Sequence, residues 1–117
     1  INELRFFTKK QKWFVVSGSD QQELREIFKY KNIDLFFDGG IFGSPDKKTK
    51  ILEREIKNNS ILLPGLFFGD SCQDHIAAKE NNLDFLFVKE WTDFKNYKHY
   101  CKINSLTIIN SISDIII

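Results

Sequence analysis

Four short apolar runs, separated by segments with helical periodicity, most limit what this chain can fold into. The runs are apolar at almost every position instead of alternating with polar residues, which is typical of strands buried on both faces of a parallel sheet. They lie at residues 12–17, 33–37, 65–68 and 84–88. The resulting order β-α-β-α-β-α-β predicts an α/β protein whose mainly parallel sheet is covered by helices on both faces.

The segments between these runs have apolar residues at the spacing of an amphipathic helix. We predict helices at residues 21–30, 48–57 and 73–82, with Ser19 or Asp20 as the cap of the first. Their inward faces carry Leu24, Ile27 and Phe28 in the first helix, Ile51, Leu52 and Ile56 in the second, and Ile76, Ala77 and Ala78 in the third.

The other segments are assigned from the same signals. Residues 38–40 and 43–46 are rich in glycine and predict a loop. We expect the end of an amphipathic helix at 1–11, a helix at 91–102, a short edge strand at 106–109 and a last turn or strand at 111–117.

Size, charge and cysteine content exclude several classes of protein. The 117 residues suffice for one domain with a sizeable core, and the formal net charge of +1 gives no electrostatic case for a nucleic-acid or membrane partner. The longest apolar run, 61–68, is interrupted by Pro64 and Gly65 and is far shorter than the roughly 18 residues of a membrane span. Cys72 and Cys101 have no metal-ligand spacing, so we expect reduced thiols and a cytoplasmic protein.

Two acids follow the third apolar run, in the stretch FFGDSCQD. Asp70 comes at the predicted end of a strand, and Asp74 comes one helical turn later. Chemistry gathers at the carboxyl ends of strands in open parallel sheets, and Mg²⁺ prefers carboxylate oxygens and water as ligands. The alternative is that Asp70 caps the next helix and that Asp74 is a solvated acid favoured by the helix dipole. The pattern alone leaves both interpretations open.

A hydroxyl and a lysine follow the first two runs. Ser17 and Gly18 lie between a strand and a helix, where a hydroxyl and backbone N–H groups can bind a phosphate oxygen. Lys48 opens the second helix and can neutralise a phosphate, with Lys47 and Lys50 as competitors. The alternatives are an ordinary serine turn and a solvated lysine. We expect His75 on the exposed side of its helix and Cys72 to serve in packing.

Three stretches, in this order, resemble motifs of the haloacid dehalogenase-like (HAD) superfamily, which consists mostly of magnesium-dependent phosphatases. WFVVSGSDQQELREIF resembles the second motif, with its hydroxyl at Ser17. GSPDKKTKIL resembles the third, where the pattern K-x-x-I-L favours Lys48. LFFGDSCQDHIAAKENNLDFLFV resembles the fourth, with Asp70 and Asp74 as the acids of the metal site. The resemblance covers about residues 1–94.

The resemblance implies both a fold and a reaction. The fold is a three-layer α/β/α Rossmann-like domain, of which residues 1–117 form a single, N-terminally truncated core. The reaction is hydrolysis of a small phosphorylated metabolite through an aspartyl-phosphate intermediate. Asp70 and Asp74 would hold Mg²⁺, Lys48 would neutralise the phosphoryl oxygens, and Ser17 and Gly18 would bind the phosphate.

The first motif of the family, a strand ending in D-x-D that carries the nucleophile, has no match here. Glu3 is the only acid before Ser17, and the sequence contains no methionine. We therefore expect a fragment of a HAD-like phosphohydrolase that is inactive alone and lacks any cap. The alternative is a degenerate, non-catalytic interaction or regulatory domain. A phospho-receiver domain is excluded by chain order, because its acids come first.

The missing strand predicts a gap in the sheet. In HAD-like folds it lies between the strands read here at 12–17 and 65–68. Either these two strands pair directly, or the slot is filled by another copy of the chain or by a retained N-terminal fragment, since buried unpaired backbone groups cost about 1–3 kcal/mol each.

Overall fold

The structure, a computed structural model, describes residue 6 and residues 10–111. The predicted segments 1–11 and 111–117 lie almost wholly outside the described residues. The described chain is mixed α/β, with parallel strands in small sheets, which confirms the predicted class. Within the same residues, no helix is long and apolar enough to cross a membrane.

Strands and helices alternate along the chain. The strands are β1 (Phe14–Asp20), β2 (Gly40–Ser44), β3 (Leu66–Gly69), β4 (Asp84–Val88) and β5 (Thr107–Ile109). The helices are α1 (Gln21–Tyr30), α2 (Lys48–Lys57), α3 (Cys72–Glu80) and α4 (Tyr97–Ile103), with 3₁₀ turns at Asp34–Phe36 and Lys89–Trp91.

Local signals placed most of these elements correctly. The bounds of α1, α2 and β4 agree with the predicted bounds, and β3, α3 and β5 agree within two residues. Side-chain caps explain why two helices begin where they do. The Asp20 carboxylate accepts a hydrogen bond from the Glu23 N–H at 3.0 Å, and the Ser71 hydroxyl accepts one from the Asp74 N–H at 3.1 Å. The predicted helix 91–102 is shorter, because Lys89–Trp91 forms a 3₁₀ turn first.

The described residues divide into two compact units, which we call the N-terminal unit (Thr8–Leu62) and the C-terminal unit (the residues from Leu63 onward). In the N-terminal unit, β1 and β2 form a parallel pair with Phe14 opposite Gly40. Both α1 and α2 pack on this pair. The buried apolar residues of the unit are Ile41, Ile51 and Leu52.

The predicted second strand at 33–37 is wrong. Asp34–Phe36 forms a 3₁₀ turn, and the strand is Gly40–Ser44, within the predicted loop. The Phe37 ring lies beside the rings of Trp13 and Phe28, with centroids 5.8 Å and 5.4 Å away. The apolar run therefore supplies packing between α1 and the start of β1, not a strand.

The glycines that predicted a loop are instead needed within β2. Gly40 has a φ of +127°, a region that favours glycine. At Gly43, a Cβ would overlap the Ser19 carbonyl oxygen and would lie 2.9 Å from the Leu24 side chain. Glycine is therefore required at this position of the strand, because β1 and α1 approach its backbone closely.

In the C-terminal unit, β3, β4 and β5 form a parallel sheet in that order, and β5 is the predicted edge strand. The α3 helix packs on β3 and β4. The Phe87 ring stacks on the Tyr97 ring with centroids 5.6 Å apart. The buried apolar core consists of Ala77, Ala78, Phe87, Val88 and Cys101.

Gly43→Ala tests the close approach between β2 and β1. We expect it to lower the free energy of unfolding by about 1–3 kcal/mol, because the backbone must shift to admit the new methyl group. Urea unfolding followed by circular dichroism measures the change. Gly18→Ala is the matched control, since no atom lies within 4 Å of a Cβ there, and its effect should stay within about 0.5 kcal/mol. Equal losses in the two variants would contradict the explanation.

Candidate functional site

The turn between β3 and α3 carries the stretch GDSCQD at the carboxyl end of a parallel strand. Gly69 ends β3, Ser71 is the N-cap of α3, and Asp74 lies in its first turn. The Asp74 side chain folds back, and its Oδ2 accepts a hydrogen bond from the Asp70 N–H at 3.1 Å. The turn is thus closed by one carboxylate that joins the helix to the end of the strand.

Asp74 is 3% exposed, which contradicts its interpretation as a solvated acid. A Cβ at Gly69 would lie 2.5 Å from the Asp74 Cβ and 2.8 Å from its Oδ2. Only glycine at position 69 lets the carboxylate come so close to the strand. The cap is Ser71 and not Asp70, so the alternative role of Asp70 as the cap is also contradicted.

The partly buried Asp70 is tied to the loop that follows β4. Its carbonyl oxygen accepts a hydrogen bond from the Thr92 Oγ1 at 2.7 Å, and that hydroxyl accepts one from the Phe94 N–H at 3.0 Å. The same loop reaches the end of β5, where the Glu90 N–H donates to the Asn110 carbonyl oxygen at 3.0 Å. The carboxyl ends of the three strands in this unit are therefore linked by hydrogen bonds.

His75 is buried, so the prediction that it lies on the exposed side of its helix is wrong. It is 8% exposed, and its Nδ1 lies 2.7 Å from the Tyr100 hydroxyl. Its ring also packs against Phe85, with centroids 5.5 Å apart. Burial, and then the positive charge of Lys79, lower the pKa of His75 below its ordinary value. The partner Tyr100 lies 25 residues away along the chain, so no local pattern could have indicated this contact.

In the N-terminal unit, Ser17 lies where the pairing of β1 with β2 becomes irregular. The ladder runs to Val16 opposite Phe42 and resumes at Asp20 opposite Ser44, so β1 holds extra residues there. The Ser17 Oγ accepts a hydrogen bond from the Ser19 N–H at 3.1 Å. This is the serine turn that the sequence offered as the alternative. The prediction that the strand ends at Ser17 is wrong, because β1 continues to Asp20 and the hydroxyl lies in the irregular part of the strand.

Lys48 is the first residue of α2 and is partly buried, whereas Lys47 and Lys50 are exposed. The preference for Lys48 as the lysine that faces the phosphate stays a prediction. The loop before it is held by Arg54, whose guanidinium contacts Asp46 at 3.0 Å and Glu55 at 2.8 Å.

The predicted residues belong to two units. Asp70 and Asp74 share one turn of the C-terminal unit. In the N-terminal unit, Ser17 and Gly18 lie within β1 and Lys48 begins α2, and their common role stays a prediction.

The role of the two acids in a metal site stays a prediction. Among the residues that the structure describes, no group of three or more His, Cys, Asp or Glu side chains is placed to hold a metal ion. Mg²⁺ is commonly held by one or two carboxylates, with waters and substrate phosphate oxygens as its other ligands. The pair Asp70 and Asp74 meets that smaller requirement.

Comparisons with protein-family models, with curated proteins and with solved structures find no match to this chain.

The buried His75 predicts a pH dependence of stability. Its pKa in the folded protein is lower than in the unfolded chain, so the unfolded state binds its proton first as the pH falls. The contribution of the neutral imidazole to stability is therefore present above about pH 6.5, the ordinary histidine value, and is lost as the pH falls below it. Urea unfolding in chelator at a series of pH values measures the loss.

His75→Gln should remove this component of the pH dependence, since glutamine keeps a polar group but does not titrate. His99, which is exposed in α4, supplies the control. His99→Gln should leave the pH dependence unchanged. An unchanged profile in His75→Gln would contradict the assignment.

Proposed function

We propose that this chain provides the second, third and fourth motifs of a HAD-like, magnesium-dependent phosphohydrolase, with the three-layer α/β/α Rossmann-like fold of that superfamily. The observation that carries the proposal is the buried carboxylate of Asp74, which is anchored to the Asp70 N–H at the carboxyl end of β3. That position is where ligands bind in open parallel sheets.

A buried carboxylate needs compensation, and here the compensation fixes its place. Burial of a charge is costly unless hydrogen bonds or a cation satisfy it. The N–H of Asp70 and the close approach to Gly69 hold Asp74 beside the strand end. A carboxylate that is already positioned loses little conformational freedom when it binds a cation, directly or through water.

The proposed roles are those that the family resemblance implies. Asp70 and Asp74 would hold Mg²⁺, which when bound neutralises phosphoryl charge. Lys48 would supply a second positive charge from the start of α2. Ser17 and the backbone of Gly18 would donate hydrogen bonds to phosphate oxygens. The substrate class is a small phosphorylated metabolite.

The nucleophile would come from a further strand, carried by an N-terminal segment or by another copy of the chain. Its carboxylate would attack phosphorus and release the alcohol, and water would then hydrolyse the aspartyl phosphate. Within the described residues, β1 pairs only with β2, and β3 pairs only with β4. Each sheet therefore has an edge strand at which another strand can add.

A degenerate, non-catalytic HAD-like domain is the second candidate. Such a domain would keep the fold without the phosphohydrolase reaction. The gene sequence upstream of the Ile1 codon distinguishes the candidates. A strand ending in D-x-D there supports the enzyme, and a Met codon directly before Ile1 supports the degenerate domain.

Magnesium binding tests the acid pair. We expect Mg²⁺ to shift the amide resonances of Gly69, Asp70 and Asp74 saturably in heteronuclear NMR spectra. Asp70→Asn and Asp74→Asn should weaken this binding at least about tenfold, because each removes a negative charge while keeping the side-chain shape.

Asp84→Asn is the matched control for these variants. Asp84 is exposed and begins β4, so it lies at the amino end of the same sheet. Its substitution should leave the magnesium response unchanged. An equal loss in Asp84→Asn, or shifts centred on other residues, would contradict the proposed site.

Phosphatase assays test the role of the missing nucleophile. With Mg²⁺ and p-nitrophenyl phosphate, we expect this chain alone to show no turnover above background, because covalent catalysis lacks its attacking carboxylate. Release of p-nitrophenolate, followed by absorbance, measures it. Robust hydrolysis that is lost in Asp70→Asn would show that a residue of this chain supplies the nucleophile.

A further inference from the structure

The edge of β3 that faces away from β4 carries main-chain groups that the sheet does not use. The Gly65 carbonyl oxygen accepts a hydrogen bond from the Asp84 N–H at 2.9 Å, so the main chain at Gly65 points toward β4. Successive residues of a strand direct their main-chain groups to opposite sides. The groups of Phe67 therefore also point toward β4, whereas those of Leu66 and Phe68 point away from it.

Within the described part of the chain, these outward groups have no hydrogen-bond partner. There β3 pairs only with β4, and no hydrogen bond joins Leu66 or Phe68 to a turn or a loop. Leu66 is 50% exposed, and Phe68 is partly exposed. Each of these two residues therefore offers one N–H and one carbonyl group to another strand.

The outward series ends at a defined residue on each side. Asp70 is the next outward residue, and its N–H is already bonded to the Asp74 Oδ2. Pro64 precedes Leu66 in the series, and proline has no N–H to donate. The stretch with both donors and acceptors available is thus limited to Leu66 and Phe68.

The other strands lack such an edge. At β2, side chains of α1 bond two main-chain groups: the Arg25 Nε donates to the Ile41 carbonyl oxygen at 3.0 Å, and the Gln21 Oε1 accepts from the Gly43 N–H at 3.3 Å. The pairing of β1 is irregular after Val16, and β5 has only three residues. Bulges and short edge strands discourage pairing with other chains, and β3 has no comparable protection.

We propose that β3 pairs with β3 of a second copy of this chain, antiparallel and about a two-fold axis at Phe67. In this register Leu66 lies opposite Phe68 of the second copy, and Phe68 lies opposite its Leu66. Each such pair exchanges two hydrogen bonds, so the two pairs use every outward N–H and carbonyl group of this stretch in both copies. The edge is therefore complementary to itself, which is the property that a two-fold interface requires.

The side chains agree with the same register. Leu66 and Phe68 project to one face of the sheet, so each leucine meets a phenylalanine of the other copy there. The two Phe67 side chains meet on the opposite face, at the axis. Asp70 lies opposite Pro64 of the second copy, so no like charges oppose each other.

The pairing does not depend on the phosphohydrolase assignment. A strand that carries the proposed nucleophile and adds at β3 would compete with the second copy for this edge.

Light scattering and hydrogen exchange on the full chain test the pairing. As the protein concentration rises to the millimolar range, we expect the molar mass to rise from one chain to two and no further, because the pairing uses this edge of both copies. Exchange of the Leu66 and Phe68 amides, followed by NMR, should become at least about tenfold slower in the dimer. The Phe67 amide should change little, since its N–H already points to β4.

Leu66→Lys provides the variant, because a charged side chain on an edge strand opposes pairing with another chain. We expect it to lower the dimerisation constant at least about tenfold. Leu63→Lys is the matched control, since Leu63 has nearly the same exposure, 48%, and precedes the paired stretch. Its dimerisation constant should equal that of the unmodified chain.

Three results would overturn the proposal. The first is the mass of a single chain at every concentration. The second is slower exchange on association that is confined to other strands, with Leu66 and Phe68 unchanged. The third is an equal loss of dimer in Leu63→Lys and Leu66→Lys. The exchange measurement uses the unmodified chain, so it stands even if a variant does not fold.

Discussion

The hydrogen bond between the Asp74 carboxylate and the Asp70 N–H determines the local structure around the carboxyl end of β3. A charge with so little exposure is tolerated only where hydrogen bonds replace water. That requirement explains Gly69, which has no Cβ to block the carboxylate. It also explains Ser71, whose hydroxyl accepts a hydrogen bond from the Asp74 N–H. The three constraints together fix how α3 leaves the sheet.

Once α3 leaves the sheet in this direction, the contacts beyond it follow. His75, next to Asp74, is directed at Tyr100 of α4, and the two share a 2.7 Å hydrogen bond. On the other side of the turn, the Asp70 carbonyl oxygen accepts a hydrogen bond from the hydroxyl of Thr92, which lies in the loop after β4. One turn therefore connects β3, α3, α4 and the loop after β4. A change at Asp74 should disturb all of them, not only a bound cation.

The sequence predicted those features that depend on neighbours along the chain. Apolar spacing determines α1 and α2, Asp20 also caps α1, and both helices were placed with the correct bounds. The second strand was misplaced because the glycines of β2 look like turn residues. They are in fact required by the approach of Ser19 and Leu24, which come from β1 and α1. A pattern along one segment carries no information about such an approach.

The candidate site divides in the same way. Topology predicted that Ser17 and Asp70 would lie at strand ends. Asp70 directly follows β3, whereas Ser17 lies within β1, which continues to Asp20. The burial of Asp74 and the contact between His75 and Tyr100 depend on packing between elements. The sequence pattern therefore could not decide whether Asp74 is solvated, and it wrongly predicted an exposed His75. The preference for Lys48 over Lys47 came from the family resemblance and stays a prediction.

The edges of the C-terminal sheet show why an added strand belongs in the proposal. At one edge, β5 has only three residues, and short edge strands resist pairing with other chains. At the other edge, β3 has the sequence LFFG, which contains neither a proline nor a charged residue, and Leu66 is half exposed. Such an edge invites another strand, and parallel strands are normally covered on both sides. A strand supplied from outside the described residues would cover this edge.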